Sequence, residues 1–167
     1  MQYQPTRGQA TLLSSCARAA TATETRYRIN APGFAQRSSR VIALDAHAAD
    51  IMRRLGGQRW SGGHFLVFSS ALPGDALLRS GGGTALLSEE LEGADTVVML
   101  ASAHANAEAA SVLGEACAAR SIMSAGLVVS GAGPVDEVVS ALRPNAMVLV
   151  VLQDAGDVPE VLSALRV

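Results

Sequence analysis

From Arg40 onward, short runs of β-branched and other apolar residues alternate with segments whose apolar residues recur at helical spacing. That alternation constrains the fold more than any other feature of the chain. A run too short for a helix buries itself in a sheet, and a helix-length connection between two such runs makes them parallel neighbours. The expected strands are Val41–Leu44, His64–Phe68, Thr96–Ala101, Ala125–Val129 and Met147–Leu152. The last three are expected to be central and mutually parallel. Residues 47–55 place Ile51, Met52 and Leu55 on one helical face before Gly56 and Gly57, and ALLSEELEG (85–93) reads as a helix stopped by Gly93. The longest helix is expected over Ala105–Arg120, with Ala109, Val112, Leu113, Ala116 and Cys117 as its core stripe. Pro134–Leu142 carries proline in its first turn, and Val158–Leu165 follows a candidate N-cap at Asp157 with Pro159 just inside. The expected fold class is α/β, three-layer and Rossmann-like, with a mostly parallel sheet.

Composition narrows the chemistry. All thirteen basic residues are arginine, which excludes any mechanism that needs an ε-amine: a Schiff base, a lysine general base or a phosphate-loop lysine. Cys16 and Cys117 stand far apart and form no CxxC, so a reducing compartment is expected rather than a disulfide framework. No apolar run approaches the roughly 18 residues of a membrane-spanning helix. Charge is divided unevenly. Residues 1–40 hold six arginines against Glu24 alone, whereas residues 41–167 hold seven arginines against fourteen acids. Residues 1–39 are expected to form a basic, Arg/Ser/Thr/Ala-rich arm packed little against a single domain over 40–167. Its composition also suits an organellar transit peptide or a contact with nucleic acid, and otherwise a cytoplasmic protein is expected.

In open parallel sheets, ligands bind outside the carboxyl ends of the strands. That rule selects Asp45-Ala46-His47, Ser102-Ala103-His104-Ala105-Asn106 and Ser130-Gly131-Ala132-Gly133, with Gln153-Asp154 after the last strand. The candidate ligand-binding residues are Asp45, His47, Ser102, His104 and Asn106. His47 and His104 could face one another and suit a metal or a general base, although no HxxH, HExxH or HxH spacing supports one. Gly81, Gly82, Gly83 and Thr84 read either as an anion nest opening a helix or as a plain turn. No serine has GxSxG context, no strand leads into GxGxxG, and Cys117 on an apolar helix face reads as an inert buried thiol. His64 reads as structural. Trp60 reads as filler beneath the sheet or as an exposed anchor.

RVIALDAHAADIMRRL, HFLVFSSALPGDALL, ELEGADTVVMLASAHANAEAASVLGEACAARSIMSAGLVVS and EVVSALRPNAMVLVVLQD follow one another in order. Together they resemble the GTPase domain of the bacterial division protein FtsZ and its tubulin relatives, over roughly residues 40–156. The resemblance implies the first strand, phosphate loop and helix at the start, and the second phosphate loop after Thr96–Ala101. Where the family carries its glycine runs, this chain has DAHAAD (45–50) and HANAE (104–108). Alanine and histidine side chains there would block close approach of backbone N–H groups, and Asp45, Asp50 and Glu108 would repel a triphosphate. The sequence given ends at Val167, before the family's long core helix and hydrolytic loop. The resemblance therefore implies no GTP hydrolysis, no bound GTP or other cofactor, and work through a protein partner or a homo-oligomer. The alternative is a small-ligand- or nucleotide-binding enzyme subunit that uses the strand-end crevice.

Overall fold

The computed structural model describes residues 37–56, 60, 62–70, 72, 75–131 and 133–167. The expectations for the basic arm, including Cys16, Ile29 and Phe34, lie outside the described residues. The apolar runs form strands β1 (Ser39–Ala43), β2 (Gly63–Phe68), β5 (Thr96–Ser102), β6 (Met123–Val129) and β7 (Val148–Leu152). Two further strands, β3 (Ala76–Arg79) and β4 (Thr84–Leu86), complete one sheet in the order β4-β3-β2-β1-β5-β6-β7. β1 pairs in parallel with both β2 and β5, and β5, β6 and β7 continue in parallel. β3 and β4 run antiparallel on the far side of β2.

The helices are α1 (Ala46–Leu55), α2 (Leu87–Leu91), α3 (Ala107–Ala118), α4 (Asp136–Leu142) and α5 (Val158–Ala164). Strand alternation sends successive side chains to opposite faces. Ile42, Val97, Met99 and Ala101 accordingly pack with α2, α3 and α4, while Val41, Ala43, Val98 and Leu100 pack with α1 and α5. The result is a mostly parallel α/β sheet between two helical layers, Rossmann-like in the general sense. From the β1–β5 pair the chain runs outward in both directions, to β2 through α1 and to β6 and β7 through α3 and α4. A crossover of constant hand must change faces when its direction reverses. The loops after β1 and β5 therefore diverge, leaving a crevice between them. Among the described residues, no helix is long and apolar enough to cross a membrane.

Several expectations are corrected. Thr84–Leu86 is strand β4, and the helix begins only at Leu87. Gly82 and Gly83 have φ of +98° and +88° and turn a β3–β4 hairpin, with Arg79 N–H donating to Gly83 O at 2.9 Å. The positive-φ glycines thus serve a hairpin. α3 is shorter than Ala105–Arg120, and Val112 is exposed while Ala110 and Gly114 are buried. The smallest residue sets that contact face: a Cβ on Gly114 would lie 2.3 Å from Asn145 Cβ. Pro134 stands outside α4, which starts at Asp136. Asp157 makes no side-chain cap; Asp154 accepts from Gly156 N–H at 2.7 Å in the 3₁₀ turn Ala155–Asp157, which runs into α5. β7 is parallel to β6 as expected but lies at the edge of the sheet, and Met147 precedes it. An all-apolar run signals a strand without saying whether a neighbour covers its second side.

Candidate functional site

Asp45 stands two residues past β1 and begins α1 as its N-cap. Its Oδ1 accepts from Ala48 N–H at 2.9 Å, the bond expected of an aspartate before a helix. The same carboxylate crosses to the last residue of β5. Ser102 N–H donates to Asp45 Oδ2 at 2.7 Å, and Ser102 Oγ donates to Asp45 Oδ1 at 2.9 Å. Ser102 Oγ in turn accepts from His104 N–H at 3.2 Å. One half-buried carboxylate therefore holds the N-terminus of α1 and the end of β5 together at the point where the connections diverge. A helix N-terminus with free N–H groups attracts anions; at α1 the anion is part of the chain.

Beside this junction is a cavity of about 270 Å³ lined by His47, Ser102, His104, Val129, Ser130 and Gly131. The structure thus brings Asp45, His47, Ser102 and His104 to one place, as the strand-end rule requires. His47 is the second residue of α1, and both it and His104 are exposed. Asn106 is spent as the N-cap of α3, accepting from Glu108 N–H at 2.8 Å. Asp50 pairs with Arg53 on the outer side of α1. Among the described residues, no group of three His, Cys, Asp or Glu side chains is placed to hold a metal ion. Ser102 Oγ bonds a carboxylate and a backbone amide, and among the described residues no imidazole is hydrogen-bonded to it.

Gly81 and Gly82 lie elsewhere, in a cavity of about 350 Å³ with His64, Phe65, Arg79 and Glu90. Thr84 does not line it; it lies in the edge strand β4, two strands from β2. Here the sequence reading missed a charge cluster around a buried carboxylate. Glu90 Oε2 lies 3.1 Å from Arg40 Nε and 2.9 Å from His64 Nδ1, and Glu90 Oε1 lies 2.9 Å from Arg79 Nη2. Arg40 Nε also donates to Glu90 O at 2.7 Å, and Arg40 Nη1 to Ser38 Oγ at 2.9 Å. The side chains of Arg40 and Glu90 are only 6% and 5% exposed, which makes this pair a structural commitment. Burial alone would raise the Glu90 pKa; the hydrogen bond from His64 and the charges of His64, Arg79 and Arg40 outweigh it and hold the carboxyl below its ordinary value. A signal for the cluster was present in the sequence, because Glu90 shares the apolar face of LSEEL with Leu87 and Leu91.

A further cavity, about 500 Å³, lies at the opposite end of β6 and β7, and among the described residues Glu115 is the only ionisable side chain lining it. It holds none of the candidate chemistry. Burial pushes the Cys117 thiol up to about 11 against the opposing charge of Arg120, as suits an inert core thiol. Trp60 packs against Phe65 with ring centres 5.8 Å apart and donates to Leu55 O at 3.1 Å, which is a filling role.

The fold and this junction define a mostly parallel α/β protein with a carboxylate at its topological switch point. The sequence matches no model of a known protein family and no curated protein.

Two substitutions test the geometry. Asp45→Ala removes a helix cap and leaves the Ser102 N–H without its acceptor, so urea unfolding should show a loss of about 2–4 kcal/mol, and Asp45→Asn a smaller loss. Glu90→Gln leaves two guanidinium groups facing a neutral amide and should cost about 3 kcal/mol near neutral pH. Because the folded pKa of Glu90 is depressed, its stabilisation is fully present above the unfolded carboxyl value and is lost as pH falls through the folded one. A urea series from pH 7 down to pH 3 should therefore show the gap between wild type and Glu90→Gln closing in acid.

Proposed function

We propose that this chain is a non-catalytic binding or assembly module on an FtsZ-like domain, cytoplasmic and acting through protein contacts rather than nucleotide turnover. The observation that carries the reading is the Asp45 carboxylate. In nucleotide-binding α/β domains the N–H groups after the first strand receive phosphate. Here Ala48 N–H, Ser102 N–H and Ser102 Oγ are already spent on Asp45. A phosphate group would have to displace a covalently tethered anion and leave that anion beside it. The FtsZ likeness itself rests on the order and pattern of residues 40–156.

A small-ligand reading competes, favoured by the cavity at His47, Ser102, His104 and Ser130. At about 270 Å³ that cavity falls just below the roughly 300–1,000 Å³ of typical small-molecule sites. It is cramped for a nucleoside triphosphate.

Titration calorimetry with GTP, with and without magnesium, separates these readings. Each charge-assisted N–H contact to phosphate is worth about 1.5–3 kcal/mol, and about 1.4 kcal/mol is tenfold in affinity. Loss of several such contacts should leave no saturable heat at micromolar nucleotide. A dissociation constant in the low micromolar range or tighter would overturn the proposal.

A further inference from the structure

Sheet edges are normally blunted by charge, proline, bulges or shortness, because bare N–H and C=O groups recruit other strands. β4, at one edge, is only three residues long. β7, at the other, is five residues long and reads VLVVL, with no charge, proline or glycine. Among the described residues, no strand pairs with its outer side. The helical layers stop short of it: Val148 and Val151, on opposite faces of the strand, are 41% and 46% exposed.

The backbone specifies what could complete this edge. Leu152 turns its C=O inward, accepting from Ser130 N–H at 2.8 Å, and is paired with Val129 of β6. Along a strand the N–H and C=O groups of successive residues alternate in direction, so Leu149 and Val151 turn theirs outward. We propose that β7 pairs antiparallel with β7 of a second copy of this chain about a two-fold axis at Val150, making one continuous sheet. That register sets Leu149 opposite Val151 of the second copy in reciprocal hydrogen-bonded pairs, which uses the outward groups of both residues. It also sets Val148 opposite Leu152. Each exposed valine is covered by a leucine, and opposed residues share a face, so the helical layers of the two copies align.

Neighbouring registers are poorer. A two-fold at Val151 would place Asp154 against Val148 and Gln153 against Leu149. A two-fold at Leu149 would need the Met147 N–H, which already donates to Ser124 O at 2.9 Å. A self-complementary patch without charge suits an isologous dimer, because a charge close to the two-fold axis would meet its own copy. Five residues of edge offer less than the ~800 Å² per partner of standard interfaces, so the dimer is reversible on dilution.

The inference rests on the assembly reading and supplies its surface. The test is sedimentation equilibrium of the full chain over a wide concentration range, with the variants Val151→Lys and Val150→Cys, the latter in a Cys16→Ser background. Expected is a mass rising from 17.1 kDa toward twice that value. Val151→Lys, at an exposed position, should hold the chain monomeric, with its melting unchanged at concentrations where wild type is itself monomeric. Val150→Cys should oxidise to a disulfide-linked dimer faster than the more exposed Val151→Cys, because only residue 150 meets itself across the axis. A monomer at every concentration would overturn the inference, whether residues 1–36 or a different protein covers the edge. A dimer that survives Val151→Lys and gives no preference for Val150→Cys would also overturn it, while leaving assembly through another surface intact. Nucleotide binding by calorimetry would sink the functional reading and leave the strand pairing to stand or fall on its own data.

Discussion

The arrangement of this domain depends on what the Asp45 carboxylate does at the centre of the sheet. Parallel strands whose crossovers leave in opposite directions open a crevice between the loops after β1 and β5, and the backbone N–H groups there need partners. Many proteins of this architecture leave those donors to a phosphate. In this chain one side chain satisfies Ala48 and Ser102 together, at 2.9 Å and 2.7 Å. Its negative charge also lies at the positive end of α1, which adds about 0.3–1 kcal/mol at an exposed site and more when partly buried. The cap of α1 and the tie between the start of α1 and the end of β5 have a single cause.

β1 carries a second charged fastening at its other end. Arg40 is buried against Glu90, which also takes His64 of β2 and Arg79 of β3, so one carboxylate ties α2 to three strands. Between the two fastenings Val41, Ile42 and Ala43 are wholly buried. The central strand is thus apolar from Val41 to Ala43 and fastened by a carboxylate contact at each end, which limits its freedom to slip in register. The edges are treated unequally: β4 is short, while β7 is bare and apolar.

What was legible in the sequence follows from which forces are local. The parallel strands could be read because residues buried on both faces form unbroken apolar runs, as Thr96–Ser102 shows. The loops that the strand-end rule selects do lie together at Asp45, His47, Ser102 and His104, since their placement depends only on connection order. The β3–β4 hairpin was missed because ALLSEEL has helical composition, and pairing of Leu77 with Ala85 overrode that propensity for its first residues. The Arg40–Glu90 pair spans fifty residues, and nothing local announces its partner. Val112 was placed in the core because hydrophobicity favoured it, whereas close packing at Gly114 rotated the helix toward its smaller residues.

The central claim is that the chain supplies its own anion where a ligand would otherwise bind, and chemical rescue tests it most directly. Thermal unfolding of wild type and of Asp45→Ala would be followed against formate at constant ionic strength. Asp45→Ala vacates a carboxylate-sized space lined by the Ala48 and Ser102 donors, so formate should raise its melting temperature saturably and leave wild type unmoved. Equal shifts in both proteins, or none in Asp45→Ala, would contradict the account.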